Sequence, residues 1–151
     1  MRTTRRTRAA FAAATLVAAL LTSVRSTAAG EGFVIVVNQA NSLTHSTRAD
    51  VSKVFLRRTP AWPSGVAATP CDLSGTSPIR KTFSESVHGK PVWVIVAFWQ
   101  QEIASGRSRP PSVCASEEAA LKAVRESAGA VAYVSERTPL GSGVKVLAVT
   151  P

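Results

Sequence analysis

The sequence predicts a three-layer α/β sandwich built on a largely parallel sheet. Two observations lead there. Apolar, β-branched runs at residues 32–37 (GFVIVV), 130–134 (AVAYV) and 144–149 (VKVLAV) are almost unbroken rather than alternating, the mark of strands covered on both faces. Between the first and last of these runs lie segments with helical spacing and helix-start residues, and strands that alternate with helices fold into an α/β sheet.

Taken in order, residues 32–37 are the first strand, bounded by Gly32 and Asn38, and residues 38–46 are a polar loop. Thr47 is a helix cap, with Val51, Val54 and Phe55 following at the i, i+3, i+4 spacing of one buried face. Residues 59–65 (TPAWPSG) form a turn-rich loop in which Trp62 packs as a plug, and residues 66–71 form a weaker strand ending at Asp72. A loop, Leu73 to Ser77, leads into a helix with Ser77 as cap and Pro78 at the first helical position. That helix runs through Ile79, Phe83 and Val87 to Gly89. Residues 92–99 (VWVIVAFW) have strand-like composition while residues 100–104 suit a helix, and periodicity does not arbitrate so short an apolar run. Ser116 caps a last helix whose first turn carries Glu117 and Glu118, as the helix dipole favours, and which stops at Gly129.

The N-terminus reads as a cleavable export signal. Arg2, Arg5, Arg6 and Arg8 precede a charge-free run from Ala9 to Val24, and small residues follow, with cleavage after Ala28 or Ala29. Sixteen residues rich in alanine fall short of the roughly 20 that span a bilayer. Arg5-Arg6 hints at a twin-arginine route, but the residues after the pair match it poorly. Residues 1–29 are thus the signal and residues 30–151 one domain, placed in the periplasm or secreted. Removing the leader takes five arginines and no acid from the formal charge of +9, leaving 13 basic residues against 9 acidic. A balance of +4 does not support nucleic-acid binding, but a mild positive field suits a small anion. No later run is long enough to cross a membrane.

Catalytic chemistry is thinly supplied, and the protein reads as a non-enzyme. His45 and His88 have no partner at metal-ligand spacing and read as solvated surface residues; no metal or cofactor is implied. There is neither a G-x-S-x-G elbow nor a G-x-x-x-x-G-K-[ST] phosphate cradle. Cys71 and Cys114 are the only cysteines. In an oxidising compartment an isolated pair is often bridged; the alternative is two buried thiols acting as small hydrophobes. The informative segment is 72–78 (DLSGTSP), a strand end leading into a capped helix start. Ser74, Thr76 and Ser77 offer hydroxyls, Gly75 permits close backbone approach, and a helix N-terminus favours an oxyanion. Asp72 is placed to accept a bond from a protonated oxyanion, which favours hydrogenphosphate over sulfate, and Arg80 lies one turn into the helix. The competing reading is an ordinary capped helix whose hydroxyls serve their own backbone.

Several segments together resemble the phosphate-binding subunits of ABC transporters: VIVVNQANSLTHSTRADVSKVFLRRTPAWPSG, then DLSGTSPIRKTF, then FWQQEIASGRSRPP followed by AGAVAYVS. The last two resemble a half-length branch of that family. The resemblance implies one lobe of a type-II periplasmic-binding-protein fold and a helix over residues 92–104. It also implies phosphate or a similar oxyanion as ligand, held by Ser74, Gly75, Thr76 and Ser77 with Asp72 and Arg80 in support. An ABC transporter permease or a second protein lobe is the implied partner. Ala132 departs from the family's glycine before Tyr133, and counting back from Phe83 puts Ser77, rather than Ser74, at the family's serine. The rival is an interaction or structural module that keeps the fold without a ligand, with Trp62, Trp93 or Trp99 as contact residues where exposed.

Overall fold

The computed structural model describes residues 31–151; the leader expected over residues 1–29 lies outside them. Five strands form the main sheet: β1 (Phe33–Asn38), β3 (Thr69–Leu73), β4 (Ser112–Cys114), β5 (Ala130–Ser135) and β6 (Val144–Val146), in the spatial order β4-β3-β5-β1-β6. β3 runs parallel to both β4 and β5, whereas β1 is antiparallel to its neighbours β5 and β6. Four strands therefore share one direction and β1 opposes them. The unbroken apolar run of β1 reports burial on two faces, not strand direction, so its expected place in a parallel sheet is corrected here. A separate parallel pair joins β2 (His45–Thr47) to β7 (Ala148–Thr150).

Register shows which helix covers which face. Ile35 lies opposite Tyr133 and Phe33 opposite Ser135, and with the two-residue period of a strand these share one face. Helices α1 (Arg48–Phe55) and α2 (Pro78–Phe83) cover it, for Phe55 and Phe83 both pack on the Tyr133 ring. Asn38, on the opposite face, sends its amide to the Val124 and Arg125 carbonyls of α4 (Glu117–Glu126) at 2.8 and 2.9 Å. With a layer on each side, all six residues of β5 are buried.

The expected caps are in place. The hydroxyls of Thr47, Ser77 and Ser116 accept from Asp50, Arg80 and Ala119 N–H. Helix α2 passes into a π turn (Ser84–His88) that ends at Gly89, whose φ of 63° is the left-handed cap expected of glycine. Residues 92–104 are helix α3 (Val92–Ala104), as the resemblance implied.

Two expected strands differ, and two short ones are added. Residues 66–68 fold back instead of extending β3, since Trp62 N–H bonds the Val66 carbonyl and Ala61 bridges Ala67. This hairpin seats the Trp62 plug, which is 4% exposed with its indole N–H on the Gly129 carbonyl at 2.9 Å. A Cβ on Gly129 would meet the Ala67 oxygen at 1.9 Å, so only glycine fits there. The last run breaks at Leu147, whose N–H reaches the Ile35 carbonyl, into β6 and β7. The short strands β2 and β4 were not expected from sequence, being three residues each and too short for a period.

Candidate anion-binding site

Strands β3 and β4 run side by side in the same direction, with Leu73 level with Cys114. The chain leaves β3 as the Ser74–Ser77 loop and enters α2; it leaves β4 through Ala115 and Ser116 and enters α4. Two helix starts thus open at adjacent strand ends, where α/β sheets bind ligands. Cys71 and Cys114 are joined by a disulfide with Cα atoms 5.9 Å apart, which ties the two strands together beneath the site.

Between the loops lies an open cleft of about 410 Å³. Ser74, Thr76, Ser77 and Pro78 form one wall and Ser116, Glu117 and Glu118 the other, with Thr138 at the margin. The loop hydroxyls line the cleft, and Ser74 Oγ also accepts from the Thr76 N–H at 3.5 Å. Ser74 Oγ and Thr76 Oγ1 share one bond of 3.1 Å, and Ser77 Oγ accepts from Arg80 N–H at 3.3 Å. One hydroxyl proton of the three is used within the loop, and among the described residues none is spent on a carbonyl. Gly75 lies apart from this cleft, in a neighbouring groove beside α3.

Asp72 and Arg80 sit beneath the loop, 5% and 8% exposed. They form an ion pair with each other. Tyr133 donates its hydroxyl proton to Asp72 Oδ1 and accepts the Leu73 N–H at 3.2 Å, while Arg80 Nη1 bonds the Leu73 carbonyl at 3.0 Å. Burial raises the Asp72 carboxyl above its usual value, and Arg80 and the Tyr133 hydroxyl pull the other way. The Tyr133 hydroxyl is pushed far up by burial and by the adjacent Asp72 charge. Both ends of Leu73, the residue that launches the loop, are therefore held from below, and both Asp72 oxygens are engaged there rather than in the cleft.

The acids of α4 were read from sequence only as dipole partners, yet they line the cleft. Glu117 Oε2 accepts from Ser135 N–H at 2.8 Å and from the Thr138 hydroxyl. The Glu118 carboxyl is held below its usual value by its own N–H and by Ser116. The two cysteines were the signal that would have found them, since bridging 71 to 114 sets residues 115–118 beside 74–77.

His88 departs from its expected solvated setting. It is half-buried, edge-on to Phe83 with centroids 5.3 Å apart, and its Nδ1 lies 2.8 Å from the Ser52 hydroxyl. Burial, seconded by the Arg80 charge, lowers its pKa to about 4. His45 is exposed. Among the described residues no group of three or more His, Cys, Asp or Glu is arranged to hold a metal ion, and no helix is long and apolar enough to cross a membrane.

No family model and no curated protein matches the sequence. Solved structures match the fold. An ABC-type phosphate transport receptor from Vibrio cholerae superposes with a TM-score of 0.61 at 21% identity, over 79% of this chain and 46% of that one. A substrate-binding protein from Clostridium perfringens, solved with bound phosphate, gives 0.62 at 14% identity over 79% and 45%. PstS from Borrelia burgdorferi gives 0.60 at 10% identity over 79% and 47%. The chain has their fold. It spans just under half the length of each of these receptors. At such identity the likeness is one of architecture, and it agrees with the α/β class and the half-length form expected from sequence.

Proposed function

We propose that this protein is an extracytoplasmic binding protein that holds phosphate or a similar oxyanion at the Ser74–Ser77 loop, without catalysing a reaction. The supporting observation is that Ser74, Thr76 and Ser77 line a cleft at paired helix starts with no hydroxyl bonded to a carbonyl among the described residues. The neighbours' descriptions as phosphate receptors agree with it. In this account the anion takes hydrogen bonds from the hydroxyls and from backbone N–H groups at the helix start, while Gly75, on the neighbouring groove, takes no direct part. Asp72 and Arg80 support the loop from beneath. Glu117 and Glu118 repel a fully ionised anion but accept from one that keeps a proton, which favours hydrogenphosphate over sulfate. An export signal and a disulfide suit a periplasmic or secreted location, and an ABC transporter permease or a second lobe is the partner this implies.

Hydrogen bonds to a charged group contribute about 1.5–3 kcal/mol each. Two or three of them total about 3–9 kcal/mol, from which the cost of association and solvent on the open side subtract, so the Kd is about 0.1–1 mM at its tightest. Isothermal titration of the chain from Gly30 onward, which holds every element described, should show saturable one-to-one binding of phosphate that is lost in Ser74→Ala/Ser77→Ala. Absence of binding at several millimolar overturns the proposal.

The second reading, a ligand-free interaction module, draws on one observation: the cleft carries two carboxylates, no cation among the described residues lines it, and Arg80 beneath the loop is already paired.

A further inference from the structure

Helix α3 carries more apolar surface than its own domain covers. Ile95 and Trp99, one turn apart, point inward and are 5% exposed. Phe98 is covered by Arg58, whose guanidinium carbon stands 5.6 Å from the ring centroid. A second stripe, at i, i+3, i+7 and i+10, consists of Trp93, Val96, Gln100 and Ile103; Trp93 is 71% exposed, Val96 42% and Ile103 56%. Exposed apolar residues elsewhere, such as Val66 and Val113, stand singly, which is ordinary. A stripe of this kind along one helix marks a surface that something covers.

We propose that a second copy of this chain covers it, in a two-fold dimer through α3. The charge pattern beside the stripe supports that occupant. A groove of about 560 Å³ runs along α3, bordered by Trp93, Val96 and Gln100 on one side and by Lys81 and Glu85 on the other. Lys81 and Glu85 are exposed, and neither is in an ion pair among the described residues. A two-fold axis sets residue i against j and j against i, so Lys81 of each copy faces Glu85 of the other. One cation and one anion on the same edge are self-complementary. A standard interface takes about 800 Å² from each partner, more than one helix face supplies, so the contact extends onto the outer side of α2 and the π turn, where Lys81 and Glu85 stand. Gly75 borders the same groove, so the second copy would abut the Ser74–Ser77 loop, while the dimer itself does not depend on anion binding.

The test is the mass in solution of the chain from Gly30 onward, by sedimentation equilibrium and light scattering. The expected result is a dimer, converted to monomer in Trp93→Glu, with the Tm of that monomer independent of concentration and equal to that of dilute, dissociated wild type, because Trp93 is already in water in the single copy. Lys81→Glu alone should weaken the dimer at least tenfold, and Lys81→Glu/Glu85→Lys should restore it. A wild-type chain that stays monomeric at submillimolar concentration overturns the proposal, as does a dimer indifferent to Trp93→Glu. Monomeric protein that sediments with phosphatidylglycerol vesicles through Trp93 also overturns it, in favour of a membrane surface.

Discussion

The ring of Tyr133 lies flat against the ring of Phe83, with centroids 3.8 Å apart and planes 5° from parallel. Tyr133 stands in the central strand β5 and Phe83 ends α2, the helix that begins at the candidate site. Phe33 and Phe55 close around the pair, with centroids 5.6 and 4.8 Å from Phe83. The stack fixes α2 on the sheet, and the same tyrosine reaches on to Asp72 and Leu73 beneath the loop. Core packing and loop position are joined in one side chain.

Tyr133→Phe separates the two roles. The stack survives, but the Asp72 carboxylate loses a donor and the Leu73 N–H its acceptor, both in a buried setting. Leaving such groups unsatisfied costs about 1–3 kcal/mol each. The expected outcome is a loss of about 2–6 kcal/mol in urea unfolding, with phosphate affinity falling although Tyr133 lies outside the cleft. Phe83→Ala, by contrast, empties a core position and should cost about 3–5 kcal/mol.

The disulfide closes a loop with a sequence separation of 43. Chain-entropy reasoning gives about 4 kcal/mol for a loop of that length. Cys71→Ala/Cys114→Ala should lower the unfolding free energy by about that amount. It should also weaken phosphate binding, since the two cleft walls are no longer tied.

Stability should fall as the solution is acidified, in part through His88. Its pKa is about 4 in the fold against 6.5 as the ordinary value. The unfolded chain therefore binds the proton more readily, and the contribution of neutral His88 is complete above pH 6.5 and lost as pH falls toward 4. Discounted for its partial exposure, the effect is about 2 kcal/mol. Thermal unfolding of wild type and His88→Gln across this range should converge at the acid end. Parallel curves would contradict the assignment.

Glu118 opposes an anion in the cleft. Glu118→Gln removes one negative charge from the wall and should tighten phosphate binding by roughly fivefold at low salt, less at physiological ionic strength. A titration at two salt concentrations checks both parts.

What the sequence disclosed was mostly local. The caps at Thr47, Ser77 and Ser116 were legible because a cap is decided by a residue and its next three neighbours. The buried strands β1 and β5 were legible from unbroken apolar runs. The reversed direction of β1 was not, because burial is blind to polarity. Nor was the Asp72–Arg80–Tyr133 assembly, which depends on β3 and β5 lying side by side although their residues are some 60 positions apart. For the same reason the sequence leaves Asp72 free for a ligand, whereas Tyr133 of the neighbouring strand engages it. Helix α3 needed more than composition, since Val, Ile, Phe and Trp in sequence favour a strand, and its uncovered stripe is the residue of that conflict.

The central claim concerns a place, so the most direct test is a two-dimensional amide-resonance titration of the chain from Gly30 onward with phosphate. The expected result is saturable shifts concentrated at residues 74–77, with smaller ones at 115–118 across the cleft. Shifts absent from those two segments at saturating phosphate, or centred elsewhere in the molecule, would contradict the account.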